Sequence, residues 1–177
     1  MSDEQTISVI NKINDCYDLI ESLDIVTISA INGFALGGGA ELALCCDFRI
    51  GAVSSKVAFP ETSIGIIPGA GGTYRLSQVI GQAKAKYWIF SGRKFTGEEA
   101  FQDGFFDFLA EDDELLEASI DLAEEILMNS QGALKLAKRA IATSYNSNSN
   151  KRSNELGYYE KTLSLKDRLD FLAKIKK

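Results

Sequence analysis

The stretch ALGGGAELALCCD, residues 35–47, sets three consecutive glycines between an apolar run and a helix-like segment. Glycines at a helix start expose N–H groups that have no intrahelical acceptor, at the positive end of the helix dipole. A developing oxyanion is stabilised there. Glu41 follows Gly38 by three residues, close to one helical turn, which sets its carboxylate beside whatever the Gly38 N–H holds. Nucleotide readings of the same glycines are weak: Leu42 stands where a dinucleotide fingerprint needs its third glycine, and no Lys-Ser/Thr follows as a P-loop requires. Close strand–helix packing by small residues is the alternative structural reading.

Composition narrows the chemistry. The 177 residues are 45% hydrophobic and 25% charged, which suits one compact domain with a sizeable core. There is no histidine, so no Ser-His or Cys-His pair exists and acid–base work falls to carboxylate, lysine, tyrosine or cysteine. Cys16, Cys45 and Cys46 form no CxxC pair, and no metal site is expected. A net charge of −6 argues against a general nucleic-acid surface. No apolar run approaches the ~20 residues of a membrane span and MSDEQTISV lacks a signal-peptide pattern, so a soluble, intracellular protein is expected.

Along the chain, residues 7–23 carry Ile10, Ile13, Tyr17 and Ile20 near helical spacing, and 25–31 reads as a buried strand. A helix is predicted over Ala40–Cys46, with short strands at 48–52 and 56–59. Helices follow at Gly72–Ile80 and Ala83–Phe90, separated by Gly81. Thr96 and Glu99 fit a capping box, predicting a helix from Gly97 to about Asp103 that stops at Gly104. FFDFL (105–109) is a strand candidate; 114–129 and 132–145 are amphipathic helices; 147–154 is a polar linker before helical pieces at 152–163 and 166–176.

The segment ISAINGFALGGGAELALCCDFRI followed by FPETSIGIIPGAGGTYRL closely resembles the enoyl-CoA hydratase/isomerase (crotonase) family. The match combines the glycine turn, Glu41, Pro60-Glu61 and the PGAGGT run from Pro68, and continues through SGRKFTGEEAFQDGF. YYEKTLSLKDRL (158–169) is similar to the methylglutaconyl-CoA hydratase branch. The resemblance implies an α/β ClpP/crotonase-like spiral of ββα units over 1–109 and a C-terminal helical region over 110–177 that packs trimers or dimers of trimers. It implies Gly38 as an oxyanion donor, Glu41 and Glu61 as catalytic carboxylates, and Gly37, Gly39, Pro60, Gly69 and Gly71 beside the substrate. The implied reaction is syn addition of water to a 2-enoyl-CoA thioester, short-chain or 3-methylglutaconyl, with coenzyme A as part of the substrate and no separate cofactor.

Hydration builds enolate charge on the thioester oxygen, and a single donor aimed there is worth ~3 kcal/mol or more. Two glutamates on opposing segments can share water activation and protonation of the α-carbon without histidine or metal. Singly, Glu61 reads as a solvated loop residue and Glu41 as a first-turn residue favoured by the dipole; their 20-residue separation and Pro60 favour catalysis. Double-bond isomerisation and a truncated, non-catalytic remnant are the alternatives. Arg75 is expected to be structural, Tyr87, Trp88 and Phe90 to be core or contact aromatics, and Lys161, Lys166 and Arg168 to lie on a solvated face. The resemblance further implies ~90 upstream residues, about a third of the fold, supplying core strands and the second oxyanion N–H. A fragment, a truncated gene model or one half of a split protein is therefore expected, in a mitochondrial or cytoplasmic setting that the sequence does not decide.

Overall fold

The computed structural model describes residues 2–144 and 150–175. Two compact units divide the chain, Met1–Leu23 with Thr27–Asp121, and Asp24–Val26 with Leu122–Lys177. The boundary expected at 109/110 falls inside a strand whose Ala110 pairs with Ala52.

In the first unit, strands β1 (Ile28–Ile31), β3 (Phe48–Ala52) and β6 (Phe108–Ala110) form a parallel sheet in the order β1-β3-β6. Strands β2 (Phe34–Leu36), β4 (Lys56–Ala58) and β5 (Phe95–Thr96) form a second, ordered β2-β4-β5, with β2 parallel and β5 antiparallel to β4. Neighbours in sequence, β1 with β2 and β3 with β4, therefore enter different sheets. Each strand pair is followed by helix: α2 (Gly38–Ala43) after β2, and a 3-10 helix (Pro60–Ile64), α3 (Gly72–Ile80) and α4 (Gln82–Ser91) after β4. Helix α5 (Gly97–Asp103) leads to β6.

The core lies among β2, β4 and helices α2–α5. Trp88 is fully buried, its ring stacked 4.0 Å from Phe95 and 5.5 Å from Phe105, while its indole N–H donates to Asp103 Oδ2 at 2.7 Å. Burying an aromatic with its polar edge satisfied gives apolar contact without an unpaired donor. Tyr87 and Phe90, on the same helix, are exposed.

Several boundaries differ from the sequence reading for local reasons. Helix α1 (Asp3–Glu21) starts earlier than residue 7 because Ser2 and Gln5 close a capping box. The 25–31 strand begins only at Ile28, since Arg139 binds Asp24 and Lys138 binds the Ile25 carbonyl within the second unit. Helix α2 starts at Gly38 rather than Ala40, because the Gly37 carbonyl already accepts from Glu41 N–H. Phe105 and Phe106 are buried with both N–H groups on the Ala100 carbonyl, so pairing to β3 is delayed to Phe108. The capping box at Thr96 and Glu99 forms as expected, and Gly104 ends α5 in the left-handed region.

The second unit contains α7 (Gln131–Ser144), α8 (Lys151–Thr162) and α9 (Arg168–Ile175), with Asn150 capping α8. Helix α6 (Leu115–Leu127) contains the division between units. Residues 147–149 of the expected linker, position 145 of the expected α7 and position 176 of the last helix lie outside the described residues. Among the described residues no helix is long and apolar enough to cross a membrane.

Candidate active site

Glu41 occupies the first turn of α2 and is only 3% exposed. Its Oε1 accepts two backbone N–H groups, from Ala70 at 2.8 Å and Gly72 at 2.9 Å. The carboxylate is thereby fixed by the 68–72 loop, and these donors were not identified from sequence. Two N–H groups converging on one oxygen are a charge-assisted arrangement that holds orientation tightly.

Gly37, buried with φ +52°, occupies backbone space in which a side chain is strained. A Cβ there would also stand 2.6 Å from Glu61 Oε1, so bare backbone at residue 37 admits the second glutamate. Pro60 opens the 3-10 helix that carries Glu61, its ring suiting a first-turn position that needs no N–H partner. Glu61 Oε2 is buried without a hydrogen-bond partner. Burial pushes the Glu61 carboxyl above its ordinary value, and the charge of Glu41 adds to the shift. The two expected carboxylates are thus electrostatically coupled but held differently: Glu41 is pinned by two amides, whereas Glu61 keeps one buried oxygen without a partner.

Gly38 and Gly39 are exposed at the start of α2. As the first helical residue, Gly38 has an N–H with no acceptor in the helix ladder. Its carbonyl accepts the Tyr17 hydroxyl at 2.7 Å. Burial raises the Tyr17 phenol, and Glu41 and two cysteine thiols raise it further.

Gly71 caps α3 with φ +93°, and Gly69 lies against Ile10, whose Cγ2 would be 3.4 Å from a Cβ at residue 69. Both glycines shape the loop that grips Glu41. Arg75 is structural as expected: it is 2% exposed, binds Asp18 at 2.7 Å and Glu21 at 2.8 Å, and donates to the Ala70 carbonyl at 3.0 Å. Asn14 donates to the Gly69 carbonyl at 2.9 Å. Asn14, Tyr17, Asp18 and Glu21 follow the i, i+3, i+4, i+7 pattern of one helix face. That spacing is the sequence signal for Asn14, Asp18 and Glu21, polar positions on the face that Tyr17 already marks.

Cys45, the cysteine nearest Glu41 in sequence, is a poor candidate for the chemistry. The buried Cys45 thiol is pushed up to about 12 by burial and donates to the Glu41 carbonyl at 3.2 Å, so it stays protonated at neutral pH. No cluster of three potential metal ligands occurs among the described residues.

Alternating strands in two sheets, a glycine-led helix and paired glutamates define a crotonase-type α/β protein. The chain belongs to the enoyl-CoA hydratase/isomerase family, whose model matches residues 2–173. It is 40% identical to the probable enoyl-CoA hydratase 2, mitochondrial, of Arabidopsis thaliana, over 98% of this chain and 58% of that protein. It is 41% identical to methylglutaconyl-CoA hydratase, mitochondrial, of Rattus norvegicus, over 94% of this chain and 55% of that protein. The crystal structure of an enoyl-CoA hydratase from Bacillus anthracis superposes with a TM-score of 0.96 at 40% identity, over 99% of this chain and 69% of that one. The chain thus spans between half and two thirds of the two curated relatives.

Proposed function

We propose that this chain carries the catalytic half-site of an enoyl-CoA hydratase. The observation that carries the reading is the contrast between Glu41, pinned by two amides, and Glu61, near enough to feel the charge of Glu41, with an unpartnered buried oxygen and a raised affinity for protons. Such a pair suits one group to take a proton and the other to give one.

The enoyl thioester lies with its oxygen on the Gly38 N–H, and Gly37, Gly39 and Pro60 bound the reacting carbons. Glu41 takes a proton from water as its oxygen bonds to the β-carbon. The double-bond electrons move to the α-carbon and thioester oxygen as an enolate, and Glu61 delivers its proton to the α-carbon on the same face. Passing the gained proton from Glu41 to Glu61 restores the starting state. Two carboxylates on one face favour syn addition, and the N–H donor lowers the barrier by binding the enolate oxygen more tightly than the ground-state carbonyl. Homotrimers, or dimers of trimers, built through the C-terminal helices are part of the same proposal.

The test is loss of enoyl-thioester absorbance when the chain meets crotonyl-CoA or 3-methylglutaconyl-CoA. Hydratase activity is expected to fall at least about 100-fold in both Glu41→Gln and Glu61→Gln. Turnover that survives Glu41→Gln with migration of the double bond would assign isomerisation instead. A folded chain without turnover would overturn catalysis by these residues alone.

A further inference from the structure

Helix α1 approaches the site through Ile10, Asn14, Tyr17, Asp18 and Glu21, although none of the described α1 residues is fully enclosed. Of these contacts, the one made by Asn14 bears most directly on Glu41. The carboxamide nitrogen of Asn14 donates to the Ile10 carbonyl one turn back at 3.0 Å and to the Gly69 carbonyl at 2.9 Å. The Gly69 carbonyl and the Ala70 N–H belong to the same planar peptide unit. That N–H is the one that donates to Glu41 Oε1 at 2.8 Å. A chain of two hydrogen bonds therefore runs from Asn14 through one rigid peptide plane to the carboxylate.

We propose that Asn14 is a positioning residue for Glu41, acting through the Gly69–Ala70 peptide, an inference that rests on the hydratase reading for its catalytic consequence. Two physical effects follow from the geometry. A donor on the carbonyl polarises the peptide and makes its N–H a stronger donor, by an estimated ~10–30% per bond in such chains. The same donor holds the peptide plane at its carbonyl end, so that its rotation is set from both sides, by Asn14 at Gly69 O and by Glu41 Oε1 at the Ala70 N–H. Ile10 packs against Gly69 from the same helix face and limits translation. The intrahelical bond to Ile10 in turn restricts the Asn14 side chain, so the relay starts from a half-buried group on a helix rather than from a loop. Gly72 supplies the second N–H to Oε1 from a peptide that Asn14 does not touch, which gives an internal reference.

The experiment is amide NMR of the whole chain with Asn14→Leu, and with Asn11→Leu as a control on the same helix. In Asn14→Leu the Ala70 amide proton is expected to move upfield, further than that of Gly72, while Asn11→Leu leaves both in place. An unmoved Ala70 resonance in folded Asn14→Leu overturns the relay. Should Asn14→Leu not fold, Glu41→Gln reads the chain from the other end: the Asn14 carboxamide resonances shift if the relay exists and stay if it does not. In an active chain, Asn14→Leu should lower kcat about 10-fold with KM unchanged, on the scale of small misplacements of a reacting group. That loss should vanish in a Glu41→Gln background, whereas full additivity would count against action through Glu41. Absence of turnover would refute the hydratase reading, while the amide shifts would still decide the relay.

Discussion

Gly72 stands so close to Glu41 that a Cβ on residue 72 would lie 2.9 Å from Oε1, while its own N–H holds that oxygen at 2.9 Å. The close approach and the hydrogen bond are one geometric fact: only a residue without a side chain brings its amide here. The same Cβ would meet Pro68 at 2.8 Å and the buried Phe59 ring at 2.9 Å, so nothing flexible yields on that side.

Gly72→Ala is therefore expected to cost about 1–3 kcal/mol of stability by overpacking, and to lower kcat by displacing Glu41. Urea denaturation and steady-state turnover check the two effects separately. A variant as stable as the parent would show that the loop can retreat from Glu41.

Glu61 gives a pH dependence of defined sign. Its carboxyl has a higher proton affinity folded than unfolded, chiefly through burial. Between the ordinary value of 4.5 and the raised folded value, the native state binds more protons than the unfolded state, so stability falls as pH rises. Above both values the penalty is complete. Glu61→Gln removes it: the variant should match the parent at about pH 3 and exceed its stability at about pH 7. Denaturation midpoints at the two pH values test this. A parent more stable than the variant at neutral pH would show that ionised Glu61 has a compensating partner.

The placement of Glu41 in the helix turn that Gly38 starts, and of Glu61 directly after Pro60, was legible locally. Pairing the two glutamates came from the family resemblance, since each alone reads as an ordinary first-turn or loop carboxylate. The capping box at Thr96 and the stops at Gly81 and Gly104 were legible locally too. Strands β2 and β5, three and two residues long, leave too few positions for an alternating pattern to show. Nor does sequence separation reveal that β3 and β4, four residues apart, belong to different sheets. The outer support of Glu41 was least visible, since Asn14 meets Gly69 across 55 residues and Arg75 meets Asp18 across 57. Such contacts arise only when the fold brings separate segments together.

Arg75 should tolerate neither an apolar nor a lysine replacement. Its side chain is 2% exposed, but those of Asp18 and Glu21 are 65% and 50% exposed. Both carboxylates can therefore rehydrate, whereas the Ala70 carbonyl loses its guanidinium donor. Arg75→Met is expected to cost about 2 kcal/mol, less than the 3–5 of a fully buried broken pair. Arg75→Lys should recover only part of that loss, because an ammonium does not reproduce the planar fork that reaches Glu21 through two nitrogens. Equal stability of Lys and Arg at this position, measured by thermal unfolding, would contradict the forked geometry.

Tyr17 offers a test of the site that is independent of turnover. Its hydroxyl donates to the Gly38 carbonyl at 2.7 Å, and its phenol lies above the ordinary value of 10.0 through burial first and the charge of Glu41 second. A neighbouring anion disfavours phenolate, so Glu41→Gln should lower the Tyr17 titration relative to the parent. It should still lie above 10.0, because burial, the larger cause, is unchanged. Ultraviolet difference titration, with Tyr17→Phe to assign the transition, measures the shift. A Tyr17 transition indifferent to Glu41→Gln would separate the two groups electrostatically. Tyr17→Phe itself should cost about 1 kcal/mol of stability for the lost hydrogen bond. In an active chain it should reduce kcat more than it raises KM, because the first turn of α2, which under the proposed hydratase reading aims Gly38 at the thioester oxygen, would lose its tie to α1.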